Sequence, residues 1–429
     1  MEIEKLVLSQ YIHVHPLCKA MKFIRKSYFK NLCYFINKID NQGKWKDKML
    51  CIYSQKFGVC EEVEINQSIG YIDRIVTSKY KYNLLIDILF ILAFADRDLG
   101  NIIGNMFILV YGEKYKEKVE EILDVFYEGK ESLVLQPIKL IQEILPILRK
   151  NRDFYNRPEK RIMITANMSA GKSTLINALV GKNINKAQSR ACTAKVHYIH
   201  NKAIEDGFIY ELDHMLELDA THEVLMEDNF LNETTDIHVG TKFRSIDIID
   251  KKICFIDTPG VNYSMDKMHK KISEEAINNI ECDLLLYVMN AKNLCTDDDL
   301  EHLQFVKKNY KGTILFLINK VDSFGKNDET IIETIENVKE FLSQNGFIDP
   351  QVYPISAYAA YLAKQAIFGG IEDEEEEGVL KLLQQKLERP EHSYYKYYPI
   401  KIDVLHGEID EYSMLRNSGI LHLEKVIYG

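Results

Sequence analysis

The first segment that suggests a chemistry is a loop of small and polar residues at 166–174, which reads ANMSAGKST. It lies between an apolar run at 162–165 and a helix-like apolar segment at 175–180, so the loop is expected to end at a helix N-terminus. Successive backbone N–H groups and a helix N-terminus together bind phosphate. The pattern therefore predicts a loop that holds the phosphates of a nucleotide, with Ala166 where such loops usually have their first glycine.

The residues of this phosphate loop, 166–174, have different expected roles. Lys172 is expected to reach the β- and γ-phosphate oxygens, and the Ser173 hydroxyl is expected to bind Mg²⁺. Ala170 and Gly171 are small enough to let the backbone come close to the ligand. The residues expected to contact the phosphates are Asn167, Met168, Ser169, Ala170, Gly171, Lys172, Ser173 and Thr174.

Two further segments supply candidates for the magnesium and γ-phosphate side of such a site. Residues 253–260 read ICFIDTPG, an apolar strand that ends in DxxG. Asp257 is expected to hold Mg²⁺ through water, and the Gly260 N–H is expected to bond the γ-phosphate. Between this segment and the phosphate loop, Thr193 is the candidate for a switch threonine that closes on Mg²⁺ and the γ-phosphate, an assignment that rests on the order of the motifs alone.

Base recognition is predicted at the ends of two more apolar runs. The run 314–318 is followed by Asn319, Lys320 and, after one valine, Asp322. A carboxylate at Asp322 can accept from both N1–H and N2–H of guanine, a pair of donors that adenine does not offer. Asn319 is expected to brace the loop and the Lys320 stem to lie along the base. Ser356 and Ala357 follow the run 352–355 and are expected to present a backbone N–H to guanine O6.

The elements that must position these loops follow from periodicity. Short apolar runs typical of buried strands occur at 162–165, 253–256, 284–289, 314–318 and 352–355, and they alternate with helical stretches. Helix-period segments dominate the first part of the chain, at 20–38, 82–96, 115–127 and 136–150. The sequence thus predicts an α/β P-loop GTPase domain, a mostly parallel sheet flanked by helices, preceded by an all-α helical domain.

The domain boundary is expected at the polar, proline-containing stretch near residue 156, with a helical domain over 1–155 and the GTPase domain over 156–429. Two segments are expected to interrupt the GTPase domain. One is a long insertion in the switch region, at about 197–250, and the other is an acidic loop at 372–377.

Composition excludes several classes of protein. The formal net charge of −10 argues against a protein built around a polyanion, so no nucleic acid partner is expected. The eight cysteines are scattered, with no CxxC pair and no zinc-type spacing with histidine, which favours reduced thiols. The start of the chain lacks a secretory pattern, and the apolar run 84–95 is too short to span a bilayer. A cytoplasmic protein with a buried helix at 84–95 is expected.

At these motifs the sequence resembles the dynamin-like GTPases, especially the bacterial members. Residues 169–179 read SAGKSTLINAL, and DTPG continues as Val261-Asn262 with His269 following. The spacing from Thr193 to Asp257 is long (257 − 193 = 64), and SGILHLE at 418–424 is similar to the segment that closes the family's GTPase domain. The resemblance covers about 150–429, and because Gly429 follows directly, no long stalk or membrane paddle is expected after it.

The resemblance implies a mechanism and partners. It implies Mg²⁺-dependent hydrolysis of GTP to GDP, slow alone and stimulated when two GTPase domains form a homodimer. Since Val261 stands where Ras-like proteins have a glutamine, catalysis would fall to Lys172, Ser169, Thr193 and Gly260, with a monovalent cation and the second protomer orienting water. Met168 stands where eukaryotic dynamins have a polar residue.

Two interpretations of this resemblance stay open. One is a switch enzyme that acts peripherally at a membrane surface or in an assembly. The other is a GTP-gated interaction module with negligible hydrolysis that works with a separate stalk-type partner protein.

Overall fold

The chain folds into two compact units. The structure is a computed structural model of the 429-residue chain. It describes residues 12, 15–40, 43–59, 69–130, 139–184, 195–221, 224–225, 234–245, 251–261, 267–325, 328–371, 373–402 and 410–429. One unit comprises residues 1–157 together with 202–219, and the other comprises 158–201 together with 220–429.

The first unit is built from helices. These are α1 (Lys22–Ile39), α2 (Lys44–Phe57), α3 (Tyr71–Val76), α4 (Lys81–Leu92), α5 (Arg97–Tyr111), α6 (Lys116–Glu128) and α7 (Lys139–Tyr155). The predicted helices at 20–38, 82–96 and 115–127 are confirmed with small shifts of their ends, and the described part of 136–150 lies in α7. The apolar run 84–95 belongs mainly to α4, whose residues from Asn83 to Ile91 are buried, so the interpretation as a core helix is confirmed.

A buried carboxylate organises the core of the helical unit. Asp87 of α4 is fully buried and accepts hydrogen bonds from the hydroxyl groups of Tyr28 and Tyr53, the latter at 3.0 Å. The ring nitrogen Nε2 of His15 lies 3.3 Å from the same carboxylate. Because a buried charge is costly unless it is paired and hydrogen-bonded, these three partners explain why α4 tolerates an aspartate. Among the helices in the described ranges, none combines the length and apolar character that crossing a bilayer requires.

A short hairpin from later in the chain completes this unit. Strands β3 (Tyr210–Leu212) and β4 (Leu216–Glu217) pair antiparallel within residues 202–219. Tyr210 and Leu216 are buried in the hydrophobic core of the helical unit. Lys48 of α2 donates to the backbone oxygens of Asp213, at 2.6 Å, and of His214, at 3.1 Å. Part of the segment predicted as an insertion at 197–250 therefore packs with the helices.

The second unit is centred on a sheet that is mostly parallel. Its strands are β1 (Lys160–Ala166), β2 (Val196–Asn201), β5 (Asp236–Thr241), β6 (Ile253–Asp257), β7 (Leu284–Asn290), β8 (Thr313–Asn319) and β9 (Gln351–Ile355). Their order is β5-β2-β6-β1-β7-β8-β9, and within it only β2 and β6 pair antiparallel. The inner strands β6 and β7 are almost wholly buried, as expected for strands covered on both faces. All five predicted strands are confirmed.

Within the described residues, eight further helices flank the sheet. They are α8 (Lys172–Val180), α9 (Lys267–Asn279), α10 (Asp297–Asn309), α11 (Ile331–Gln344), α12 (Ala357–Phe368), α13 (Glu374–Leu387), α14 (Asp410–Asn417) and α15 (Ile420–Tyr428). Reciprocal capping boxes begin α10, at Thr296 and Asp299, and α11, at Thr330 and Glu333. The predicted fold class, an α/β unit with a mostly parallel sheet flanked by helices and a helical unit at the start of the chain, is confirmed.

The prediction of an acidic loop at 372–377 was wrong for its described part. Glu374 to Glu377 form the first turn of α13, and the Asp373 carboxylate caps this helix by accepting from the Glu375 N–H at 2.8 Å. Carboxylates at a helix N-terminus interact favourably with the helix dipole, and Lys381 pairs with Glu377 one turn later at 2.7 Å. The run of acidic residues, which the sequence analysis interpreted as a solvated loop, forms the N-terminal turn of a helix.

Candidate nucleotide-binding site

The predicted motifs lie at one edge of the sheet. Strands β1, β6 and β8 end at Ala166, Asp257 and Asn319, and β9 ends at Ile355. Strands β1, β6, β7, β8 and β9 run parallel through consecutive pairings, so their carboxyl ends share that edge. In open α/β sheets this edge is where ligands bind.

The phosphate loop has the backbone conformation that its small residues permit. Ser169 and Gly171 are left-handed, with φ of 63° and 85°, and Lys172 begins α8 directly afterwards. A Cβ built on Gly171 would lie 2.4 Å from the Nδ2 atom of Asn319, so a side chain at this position meets both strain and a clash. The first N–H groups of α8 have no acceptor within the helix, which makes the loop a place for an anion.

The phosphate-loop lysine and the DxxG aspartate form an ion pair. The Lys172 ammonium group bonds the Asp257 carboxylate, and both side chains are largely buried, with 11% and 9% of their surface exposed. This contact joins the start of α8 to the end of β6. The two groups predicted to bind the γ-phosphate and magnesium therefore lie within reach of one small volume. Ser173 is half-buried in the first turn of the same helix.

Backbone hydrogen bonds join the DTPG segment to the phosphate loop. The Val261 N–H donates to the Ala166 oxygen at 3.2 Å, and the Met168 N–H donates to the Val261 oxygen at 3.1 Å. Thr258 is buried, and its hydroxyl donates to the backbone of β1, at the Ile164 oxygen, over 3.1 Å. Gly260 lies beside Met168, since a Cβ on the glycine would be 3.5 Å from the methionine Cγ. The two loops thus hold each other in place.

Asn319 braces the phosphate loop, as predicted for the first residue of its motif. Its side chain is 1% exposed, and Nδ2 donates to the Ala170 oxygen at 2.9 Å. Its Oδ1 accepts from the Ala357 N–H at 3.1 Å. Lys320, left-handed at φ 65°, directs its ammonium group to the Ser169 oxygen at 2.8 Å. One asparagine therefore connects the phosphate loop, β8 and the segment after β9.

The carboxylate expected to read guanine is held by a neighbouring hydroxyl. Ser356 is fully buried, and its Oγ donates to Oδ1 of Asp322 at 2.6 Å. Its backbone N–H donates to the Ser418 oxygen at 3.0 Å. The segment 418–424 thus supports the loop after β9. From the sequence, Ser356 and Ala357 were expected to present a backbone N–H to guanine O6. The contact of the Ser356 hydroxyl with Asp322 was not predicted.

Two further polar side chains support the site and were missed from sequence. Lys386 of α13 donates to the backbone oxygens of Asp322, at 2.5 Å, and Phe324, at 2.8 Å. Asn290, at the end of β7, donates from Nδ2 to the Ser169 oxygen at 3.3 Å. The position of Asn290 at a strand end was a usable signal, whereas Lys386 lies 64 residues from Asp322 with no local pattern around it.

A buried polar group lies under the phosphate loop. The Asn167 amide donates to the carboxylate of Asp299, and burial raises the pKa of this carboxyl above its ordinary value. The Thr165 hydroxyl lies 2.9 Å from Nε2 of His302, which is fully buried. Burial, with a smaller contribution from Lys270, lowers the pKa of His302 to about 3, so the ring is neutral.

A cleft of about 160 Å³ lies beside this group. It is lined by residues of the phosphate loop, of the end of β7 and of the start of α10, among them Asn167, Met168, Asn290 and Asp298. The cleft therefore adjoins the phosphate loop.

The structure brings together the predicted site residues that it describes. Each of these residues either contacts another predicted site residue or is adjacent in sequence to one that does. They are Asn167, Met168, Ser169, Ala170, Gly171, Lys172, Ser173, Thr174, Asp257, Gly260, Asn319, Lys320, Asp322, Ser356 and Ala357. Thr193 lies outside the described residues. Ligand roles for all of these positions stay predictions.

Comparison with known proteins agrees with this arrangement. A model of the dynamin family matches residues 162–321. A bacterial dynamin-like protein of Nostoc punctiforme is 24% identical over 175 residues, 38% of this chain and 25% of the relative. A probable transmembrane GTPase FZO-like protein of Arabidopsis thaliana is 24% identical over 58% of this chain and 25% of its own length. Dynamin-like protein A of Bacillus subtilis is 22% identical over 56% of this chain and 18% of its own length. The chain thus spans about a quarter or less of these relatives.

Proposed function

We propose that this chain binds GTP with Mg²⁺ and hydrolyses it to GDP and phosphate, as the match of residues 162–321 to the dynamin family suggests. We further propose that two such domains pair and that pairing raises the rate of hydrolysis. The finer steps below rest on the contacts of the site and on the chemistry of its side chains.

One observation supports the proposal most strongly. Three loops that end separate strands meet through direct contacts: Lys172 bonds Asp257, and Asn319 bonds the Ala170 oxygen at 2.9 Å. An ammonium group, a helix N-terminus and a carboxylate in one partly buried volume suit a polyphosphate with a divalent cation. A structural ion pair alone would not need the left-handed, glycine-containing loop beside it.

The donor set fits magnesium. Mg²⁺ prefers oxygen ligands and usually binds through one or two protein groups plus waters and phosphate oxygens. Ser173 offers a hydroxyl in the first turn of α8, and Asp257, a buried residue, offers a carboxylate. These two residues would hold the ion, which would neutralise charge on the β- and γ-phosphates. Thr193 is the third proposed ligand.

The proposed reaction is the attack of water on the γ-phosphorus. The bond from that phosphorus to the β–γ bridging oxygen breaks, the oxygen leaves with the electron pair on GDP, and the water proton passes to the phosphate product. Lys172 and the Gly260 N–H would stabilise the charge that develops on phosphate oxygens. Val261 is buried and apolar, so it does not orient water.

Orientation of water is assigned to groups beside the phosphate loop. Ser169 is exposed, and its carbonyl oxygen accepts from Lys320 and Asn290. We propose that Ser169, backbone atoms of Thr193, a monovalent cation and the second protomer complete the site. A chain that relies on a second protomer hydrolyses slowly when dilute.

The place of action is proposed on the same family grounds. The protein would act in the cytoplasm, either at a membrane surface or with a separate stalk-type partner protein. Nucleotide-dependent pairing of GTPase domains would be the event that such a partner senses.

The test is GTP turnover measured against protein concentration. We expect the rate per molecule to rise with concentration, and Lys172→Ala to abolish turnover, because the γ-phosphate loses its cation. Lys308→Ala, on the exposed side of α10, is the matched control and should leave turnover unchanged. A rate at background at every concentration would exclude the hydrolase.

A measurement of nucleotide binding distinguishes the GTP-gated interaction module from a chain without a nucleotide site. If calorimetry with GDP and Mg²⁺ shows binding while turnover stays at background, the chain is a GTP-gated interaction module. If neither binding nor turnover is detected, the nucleotide site itself is refuted.

A further inference from the structure

An exposed apolar patch lies at the start of two neighbouring helices of the helical unit. Its members are large apolar side chains that are more than half exposed: Met21, Phe23, Tyr71, Ile72 and Ile75. The first two lie at the start of α1 and the other three lie in α3, and we call the five residues the apolar tip. Together they leave on the order of 500 Å² of side chain in contact with water, a size that on folded chains marks surfaces used for binding.

Hydrogen bonds show that α1 and α3 run side by side in the same direction. The Ser27 hydroxyl donates to Oδ1 of Asp73 at 2.6 Å. One turn further along both segments, Nδ2 of Asn31 donates to the Thr77 hydroxyl at 2.8 Å. Phe23 precedes Ser27 by one turn, and α3 begins two residues before Asp73, so the first turns of both helices lie at the same end of the pair. The apolar tip is therefore one end of a pair of parallel helices.

Lysines follow the apolar side chains at helical spacing. On α1, Lys30 comes seven residues after Phe23. Just past the end of α3, Lys79 comes seven residues after Ile72. Seven residues keep two side chains on one stripe of a helix and separate them by about 10 Å along its axis. Each helix thus combines an apolar end with an ammonium group about two turns further along.

The charge of this part of the chain is opposite to that of the whole. Residues 16–40 and 69–81 contain nine lysines and arginines and two aspartates, a net charge of +7, whereas the chain has a net charge of −10. Helix α1 has no acidic residue in its first turn, and Lys22 in that turn is exposed. The apolar tip is therefore a basic, apolar surface on a protein that is acidic overall.

We propose that the apolar tip binds an anionic lipid surface. This inference rests on the membrane alternative of the proposed function and names the part of the chain that would contact the lipid. The apolar side chains would enter the boundary between headgroups and acyl chains to a depth of about 5–10 Å, while lysines along both helices would extend to the phosphates. Tyr71 suits this boundary, because tyrosine is enriched where membrane meets water.

The lysines favour a lipid surface over a protein partner. Lysine is depleted at protein interfaces, where ordering its flexible side chain is costly. Near anionic headgroups, by contrast, each Lys or Arg strengthens binding about five-fold. A chain with a net charge of −10 is repelled by an anionic surface unless it approaches with a basic face, so the same residues that bind would also set the orientation.

The test is flotation of the full chain, without nucleotide, on vesicles of phosphatidylcholine alone or of phosphatidylcholine mixed with phosphatidylglycerol. We expect binding to the anionic vesicles only, and weaker binding as the salt concentration rises. Ile72→Glu should reduce binding at least about 10-fold, because it removes an inserted side chain and adds a repelled charge. Ile348→Glu is its control in the GTPase unit, at a residue that is 96% exposed, and should bind like the native chain.

Two further variants test the charge and the depth of insertion. Lys22→Gln should reduce binding about five-fold, with the exposed Lys308→Gln as the control. Ile72→Trp adds an indole to the native Trp45, and lipids with brominated acyl chains should quench the added emission. The same substitution at the control position, Ile348→Trp, should add emission that these lipids do not quench.

GTP turnover measured on the same samples keeps this inference apart from the proposed function. Vesicle binding in a chain without turnover would support the lipid surface and refute the hydrolase. Failure to bind anionic vesicles with turnover intact would overturn the lipid surface alone. Equal binding to neutral vesicles, or unchanged binding by Ile72→Glu, would overturn it as well. If Ile72→Glu leaves lipid binding intact and instead lowers the mass found by light scattering, the apolar tip joins copies of this chain and the proposal is wrong.

Discussion

Replacement of Asp322 by asparagine tests base recognition at a single oxygen. Ser356 donates to Oδ1 of Asp322 at 2.6 Å, and Lys386 holds the backbone oxygen of the same residue at 2.5 Å. Asparagine is nearly isosteric and keeps an Oδ1 acceptor for Ser356. The change is therefore confined to the second oxygen, Oδ2, which becomes an NH₂ donor.

The magnitude follows from the groups that meet there. In the proposed site Oδ2 accepts one N–H of guanine, and a hydrogen bond to a charged group contributes about 1.5–3 kcal/mol. In Asp322→Asn two donors face each other, so about 3 kcal/mol is lost, equivalent to about a 150-fold rise in Kd for GDP. Xanthine carries an oxygen where guanine carries the amine, and the variant should therefore bind xanthosine diphosphate more tightly than the native chain does.

The assay is calorimetric titration of both proteins with GDP and with xanthosine diphosphate, in Mg²⁺. Asp349→Asn, an exposed position outside the site, is the control for the same chemical change and should leave both affinities unchanged. An unchanged preference for GDP in Asp322→Asn would refute the assignment of Asp322. A loss of affinity for both nucleotides would show that the substitution had disrupted the structure of the loop and had not changed its base selectivity.

Three further perturbations have defined outcomes. Gly171→Ala should reduce GDP affinity at least 10-fold with little change in fold, because its Cβ would meet the Asn319 amide at 2.4 Å in a left-handed backbone; calorimetry measures this, and unchanged affinity would contradict the loop geometry. Lys386→Met should weaken GDP binding by about 1–2 kcal/mol, since two backbone oxygens lose their cation, and equal affinity would exclude that support. The folded pKa of His302 is about 3 against 6.5 unfolded, so the unfolded chain takes up the proton first and stability is lost as pH falls from about 6.5 towards 3. His302→Gln should flatten that decline by an amount on the order of 4 kcal/mol in unfolding experiments across this range, and an identical slope would show that folding does not lower the pKa of this ring.

The part of the site that could be predicted from sequence is the part encoded by adjacent residues. The phosphate loop, DTPG and the motif at 319–322 each follow an apolar run that forms a strand, and consecutive parallel strands bring their ends to one edge. Each motif and the strand that positions it could therefore be predicted from one continuous segment of the sequence. The support from Lys386 was not, because a side chain that reaches a loop from a helix 64 residues later leaves no local pattern.

The insertion at 197–250 was read as a polar interruption for a related reason. β2 contains His197, Tyr198 and His200, and β5 contains His238, so neither strand shows the continuous apolar run of β6 or β7. The hairpin within 202–219 buries only a few large side chains, and these lie in the core of the helical unit. Hydrophobic periodicity detects strands whose apolar side chains are regularly spaced. It does not detect strands with many polar side chains or segments that are buried by distant parts of the chain.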